Sequence, residues 1–320
     1  MVLKAVASVL APGGTKARLS ILIFHRVLPA PDLLFPGEQY ARRFDDVLRW
    51  LSHWFRVLPL DAAIKRLKDG TLPSRAASIS FDDGYADNAT VALPLLQKHG
   101  MTATFFIATS FLDGGRMWND SVIESVRLCR ADALDVRDQG LGLFPLGSVV
   151  ERQQAIDQLI SKIKYLSMTE RLQAVSHVEQ TAKTVLSNDL MMTSAQVLQL
   201  RDAGMQIGAH TCSHPILSRL DSGDAEREMV DGKVALESLL GECVTMFAYP
   251  NGKPGQDYLA EHVQMAKAAG FVAAVSTAPG VSTIGSDAYQ LPRFSPWDTT
   301  HLRYGLRMLD NLRKTRPVVV

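Results

Sequence analysis

Short apolar, β-rich runs alternate with amphipathic helical stretches along most of this chain, and that alternation is the signature of parallel-sheet α/β architecture. The expected strands are residues 19–24, 78–81, 102–108, 206–209, 245–248, 272–276 and 290–291. The expected helices are 40–54, 61–68, 88–99, 194–203, 224–240 and 258–269. Gly100, Gly204, Gly241 and Gly270 each follow such a helix, where a left-handed cap is wanted, and Thr193 suits an N-cap.

Polar residues collect just past the strand ends. His25 follows the first expected strand, Asp82 and Asp83 the second, and His210 the fourth; Pro250-Asn251-Gly252 and Arg293 sit similarly. Chemistry gathered at strand C-termini is what a (β/α) barrel or an open α/β sheet does with its active site. Residues 113–190 break the alternation and read as a mostly helical insertion with a polar, Gly-containing stretch at 138–147. Lying directly after a strand, that insertion is expected to form a lid or a substrate wall. With no internal repeat, low-complexity tract or clear linker, residues 1–320 read as one catalytic domain.

Composition narrows the partners. The 34 basic and 33 acidic residues leave a net charge of +1, so no bulk field favours nucleic acid or an anionic membrane. Cys129, Cys212 and Cys243 are odd in number and widely spaced, which points to a reducing compartment or to no reliance on disulfides. The stretch 1–11 is too short to span a bilayer, and its thin charged start makes a poor signal peptide. These features favour a cytoplasmic or membrane-peripheral protein, with an exported one still open; they carry no information on oligomeric state.

Two motifs carry the chemistry. In His210-Thr-Cys-Ser-His214, two imidazoles stand four residues apart. Extended, they would lie roughly 13 Å apart, too far to share an ion bound at roughly 2 Å. A single helical turn after the strand, ended by Pro215, would bring them to one face; the alternative is two unrelated surface histidines. In Ser80-Phe-Asp-Asp-Gly84, the bland reading is a β-turn, but an unpaired carboxylate at a buried strand end is costly and a cation would offset it. Two imidazoles and one carboxylate form the protein part of an open catalytic zinc site. The second carboxylate would serve as base, and sequence alone does not say which aspartate takes which role. His25 suits either a hydrogen-bonded core position or a general acid. Cys212 reads as a packed thiol, and Trp118-Asn119-Asp120 either stacks on a sugar or anchors the insertion.

Together with Phe247-Ala-Tyr-Pro-Asn-Gly252, these motifs resemble the NodB-homology polysaccharide deacetylases of carbohydrate esterase family 4, over about residues 76–294. The resemblance implies a distorted (β/α)7-type barrel, a divalent metal, most often zinc, and hydrolysis of N-acetyl groups on an amino-sugar glycan. By position, Asp82 matches the family's base, while Asp83, His210 and His214 match its metal triad. The arginine that orients the base in the family is Ala248 here, and Arg293 is the candidate replacement. The family's late Leu-x-His acid motif is absent where expected. His25 resembles instead the N-terminal histidine acid of the poly-N-acetylglucosamine deacetylase branch, whose members act on exopolysaccharide or cell-surface glycan. A backbone N–H, that of Tyr249, is the expected oxyanion donor. The rival readings are an O-acetyl esterase or small-amide deacylase, and a non-catalytic glycan-binding relative.

Overall fold

The computed structural model describes residues 2–295 and 297–320, so Met1, the first residue of the stretch weighed as a leader, lies outside them. Nine strands follow in chain order: β1 (Leu19–Phe24), β2 (Arg56–Val57), β3 (Ala76–Phe81), β4 (Thr104–Ile107), β5 (Ala133–Val136), β6 (Gly142–Pro145), β7 (Gln206–Ala209), β8 (Met246–Ala248) and β9 (Ala273–Val275). The chain folds into two compact units, one of Met1–Pro29, Gln39–Asp113 and Met192–Val320, the other of Ala30–Glu38 and Gly114–Met191.

The first unit is a curled parallel sheet of order β1-β3-β4-β7-β8-β9, with β2 beside β3. Every strand pair in it runs parallel. A short segment closes the curl: Leu291 bridges Val275 on β9, and Phe294 bridges Leu22 on β1. The Leu291 and Phe294 N–H groups donate to Ala274 and Ile21, at 2.9 and 3.1 Å. Six strands and this closing segment make a distorted (β/α) barrel of seven staves.

Strand parity then sorts the side chains. Leu22, Phe24, Ile79, Phe81, Phe105, Ile107, Ile207 and Phe247 share one core with residues of the surrounding helices, such as Phe44, Leu93 and Met229. Leu19, Ile21, Phe106, Met246, Ala248, Ala273, Val275 and Leu291 share another. The two sets alternate along each strand, as a sheet buried on both faces requires. Gly208 on β7 makes room for Phe106, because a Cβ there would meet its ring at 2.5 Å.

The second unit holds three helices, Trp118–Leu128, Val149–Ile163 and Met168–Ala182, over a core including Val122, Val126, Leu159 and Val178. It also contains the antiparallel hairpin β5–β6, where a polar stretch with no strand of its own was expected at 138–147. Leu134 and Val136 face that core while Ala133 and Asp135 are exposed, so period-two burial rather than bulk hydrophobicity makes the strand.

One helical expectation changes and two helices are added. Residues 88–99 split into a wide π turn, Asn88–Ala92, and an α-helix, Leu93–Lys98. Pro94 has no N–H for an α-type bond back into the preceding turn. Helices at Val2–Leu10 and His301–Asn311 had no counterpart in the sequence reading. No helix among the described residues is long and apolar enough to cross a membrane.

Candidate active site

Parity places Asp82 on the same side of its strand as Ser80, and His210 on the same side as Gly208. Both strands end there, so these side chains meet at the C-terminal mouth of the first unit. Asp82 and His210 are 2% and 1% exposed. The His210 Nε2 atom lies 3.4 Å from Asp83 Oδ1 and 3.9 Å from Asp82 Oδ2, and His214 Nε2 lies 3.3 Å from Asp83 Oδ1.

Asp83, His210 and His214 offer one donor atom each, all within 4.8 Å of one another, and they are the one such cluster among the described residues. The buried Asp83 Oδ1 has no hydrogen-bond partner among the described residues despite those two imidazole neighbours. His210 Nδ1 lies 2.7 Å from the Ala248 carbonyl oxygen. Donation to that carbonyl makes Nδ1 the protonated nitrogen and leaves Nε2 with a free lone pair facing Asp83. An orphaned carboxylate oxygen and an imidazole fixed in the ligating tautomer fit a divalent ion.

The route to this geometry differs from the expected helical turn. Thr211 and His214 adopt positive φ of 65° and 54°, and the Thr211 hydroxyl accepts from the His214 N–H at 3.1 Å. Left-handed backbone folds the loop back on itself, leaving the two rings 4.8 Å apart. Glu228, on the helix Ser222–Leu240, holds it from outside. Its carboxylate accepts from the Cys212 N–H at 2.9 Å, the Ser213 N–H at 2.8 Å and the Ser213 hydroxyl at 2.6 Å. Gly232, one turn further on, lets the helix approach, since a Cβ there would meet the Thr211 carbonyl carbon at 2.7 Å. Sequence reasoning missed Glu228, which is separated from the histidines and carries no motif of its own.

Arg293 comes from the closing segment and is fully buried. It grips Asp82 through two hydrogen bonds, Nη1 to Oδ1 at 2.6 Å and Nη2 to Oδ2 at 2.7 Å. Its remaining donors reach the Ser276 carbonyl at 3.0 Å and the Ser80 hydroxyl at 3.1 Å, and its plane lies over the Phe106 ring. The family arginine missing at Ala248 thus has a spatial substitute from another stave.

Charge follows geometry. Burial alone would raise the Asp82 carboxyl, but Arg293, His210 and His25 outweigh it and hold it below the usual carboxylate range. Burial is likewise overcome at Asp83, which His214, His210 and His25 hold far below that range. Burial pushes His214 down to about 4 against the pull of Asp83, leaving it neutral near pH 7 and able to ligate. At His210 burial is outweighed by Asp82 and Asp83, and its pKa is raised.

His25 is exposed, on the loop after β1. It is among the groups that act electrostatically on Asp82, Asp83 and His214, which puts it within reach of those three rather than in the apolar core. Cys212 lies outside the donor cluster, and burial pushes its thiol up, away from the thiolate form that ligates. Trp118 packs on the core of the second unit, 5.6 Å beneath the Arg171 guanidinium, which is the anchoring alternative.

One expectation is corrected. The Tyr249 N–H donates to the Val275 carbonyl at 3.2 Å, and its ring is buried and stacked on Tyr258 at 3.9 Å. Committed to the β8–β9 ladder, that N–H is not available to an oxyanion. Two residues on, Asn251 adopts φ of 57°, and its N–H has no acceptor among the described residues. The signal was its place two residues past Tyr249, just beyond Pro250 and the strand end, where the ladder stops.

A family model described as polysaccharide deacetylase matches residues 69–274. The chain is 22% identical over 279 residues to YxkH of Bacillus subtilis (strain 168), whose polysaccharide-deacetylase name is provisional, covering 87% of this chain and 71% of that protein. Its fold is similar to that of the Streptococcus pyogenes deacetylase PplD solved with acetate: TM-score 0.60, 16% identity, 92% of this chain and 98% of that one. IcaB from Ammonifex degensii gives a TM-score of 0.56 at 17% identity, over 92% and 98% of the two chains. A de-N-acetylase from Aggregatibacter actinomycetemcomitans gives 0.55 at 16% identity, over 87% and 95%. At such identities the solved structures establish the fold, and the family model, spanning more than half of the sequence, establishes the kinship. The chain belongs to the polysaccharide deacetylase family, and so to the hydrolases.

Proposed function

We propose that this protein removes N-acetyl groups from an amino-sugar polysaccharide or oligosaccharide, of exopolysaccharide or cell-surface type, releasing acetate. The observation that carries this reading is the convergence of an arginine-gripped aspartate with an Asp–His–His donor set at one barrel mouth. Asp83, His210 and His214 would hold the divalent ion, and two imidazoles with one carboxylate suit zinc. Bound there, such an ion supplies Lewis acidity, lowering the pKa of a water toward about 7 and polarising an acyl oxygen.

The remaining work belongs to the chain. Asp82, kept ionised and oriented by Arg293, accepts a proton from the attacking water. The water oxygen bonds to the acetamide carbon, and the Asn251 N–H, which has no acceptor among the described residues, is the backbone donor this strand end offers to the developing oxyanion. His25, as imidazolium, gives its proton to the departing nitrogen while the carbon–nitrogen bond breaks, leaving acetate and a free amine. PplD with bound acetate and the Aggregatibacter de-N-acetylase lend support by shared fold.

The test is acetate release from N-acetylglucosamine oligomers. Asp82→Asn should lower kcat by at least about 100-fold, and stripping with a chelator should abolish turnover until zinc is returned. Full activity in Asp82→Asn, or after stripping, would overturn the proposal.

A further inference from the structure

We infer that Asp87 and Asn88 are positioning residues for His25, bracing the loop after β1 so that the imidazole stays beside the paired aspartates. The inference rests on reading His25 as the general acid. His25 is exposed, so its placement leans on how its backbone is held. Three consecutive residues are gripped there, His25 and Val27 through backbone atoms and Arg26 through its side chain. Asn88 Nδ2 donates to the His25 carbonyl at 2.9 Å. Asp87 Oδ1 accepts from the Val27 N–H at 3.0 Å, and Oδ2 from Arg26 Nε at 2.8 Å. The Arg26 guanidinium also lies over the Tyr85 ring, 4.7 Å from its centre.

Asp87 and Asn88 are 6% and 0% exposed. Folding alone gives little reason to bury Asn88: its Oδ1 has no hydrogen-bond partner among the described residues, a cost an apolar side chain would avoid. Asn88 also opens the π turn Asn88–Ala92, a distortion frequent at functional sites. The loop that carries Asp82 and Asp83 therefore also carries the brace for His25, four and five residues further along. One piece of chain, 82–88, thus carries the proton acceptor and the bonds that hold the proton donor's loop.

An acid matters only where the leaving group needs a proton. An amine does; 4-nitrophenolate does not. The experiment measures kcat and KM for an N-acetylglucosamine oligomer and for 4-nitrophenyl acetate, with bound zinc, in the wild type, His25→Ala, Asn88→Ala, Asp87→Asn and the double variant His25→Ala/Asn88→Ala. His25→Ala should lower kcat on the oligomer about 100-fold and leave the ester nearly untouched. Asn88→Ala should cost about 10-fold on the oligomer, with KM, ester rate and zinc content unchanged. Asp87→Asn keeps an acceptor for Val27 but loses the charge facing Arg26, so its loss should be smaller. In the His25→Ala background, Asn88→Ala should add nothing.

Equal losses on both substrates, additive losses in the double variant, or wild-type turnover by Asn88→Ala would each overturn the inference. A wild type that releases no acetate sinks the deacetylase reading instead. A His25→Ala protein as active as wild type removes the acid, and the brace with it.

Discussion

The loop after β3 and the loop after β7 deliver the same cluster, yet they are held in opposite ways. Asp82 is fixed from inside the barrel by Arg293, itself fully buried and bonded to Ser276 and Ser80. The His210–His214 loop is fixed from outside by Glu228, half-buried on a helix, and by left-handed backbone at Thr211 and His214. The inner brace is part of the core, so disturbing it should unfold the protein as well as silence it. The outer brace only shapes a ligand loop, so disturbing it should loosen metal and spare the fold.

Arg293→Met is the harsher way to test that contrast. Removing one partner of a buried pair leaves an uncompensated carboxylate, which costs about 3–5 kcal/mol. The cost also has a direction in pH. With the arginine present the folded-state pKa of Asp82 is depressed, so the pair's stabilisation is present above the ordinary carboxylate range and is lost as pH falls through that depressed value. Without it, burial is opposed only by His210 and His25, so the Asp82 pKa rises from that depressed value and protonation relieves the variant on acidification. The stability gap between wild type and variant, read by denaturant titration, should be wide at pH 7 and narrower at pH 4. A gap of under about 1 kcal/mol at pH 7 would mean the inner brace is not structural.

Glu228→Gln is the milder one. It keeps the shape and one acceptor oxygen but weakens the charge-assisted bonds to Cys212 and Ser213. Loss of such an outer partner typically lowers metal affinity 10- to 100-fold. Zinc titration should show a drop in that range while the melting temperature moves by only a few degrees. A large loss of stability with unchanged zinc affinity would reverse the contrast.

The same division governs what the sequence revealed. Most strands of the first unit were legible because β1 and β3 are buried along their whole length and read as apolar runs broken only by Ser20, Ser78 and Ser80, whereas the two-residue β2 was not among those expected. Asp83, His210 and His214 were legible because a carboxylate just past a strand end and two imidazoles four residues apart suit one donor set, and Asp82 because it stands beside Asp83. The helix caps at Gly100, Gly204, Gly241 and Gly270 were legible too, all with positive φ, as was Thr193, which accepts from the Gln196 N–H. What stayed hidden depends on neighbours in space. Leu291 and Phe294 close the barrel with isolated bridges too short to carry a period. Left-handed φ at Thr211, a β-branched residue, has no local signal, and it sits against the Glu228 and Gly232 surroundings as well as its own bond to His214. The Tyr249 N–H was misread because nothing in Phe247-Ala-Tyr says that the ladder to β9 extends one residue further. The segment Ala30–Glu38 joins the second unit through Leu34, a placement that only the folded chain displays.

The most direct test of the cluster is anomalous scattering at the zinc edge from a crystal grown with zinc. One peak is expected, about 2.0–2.2 Å from Asp83 Oδ1, His210 Nε2 and His214 Nε2, with Asp82 still bound to Arg293. A peak that omits either histidine, or one that draws Asp82 away from Arg293 into the coordination sphere, would contradict the assignment of ligand and base.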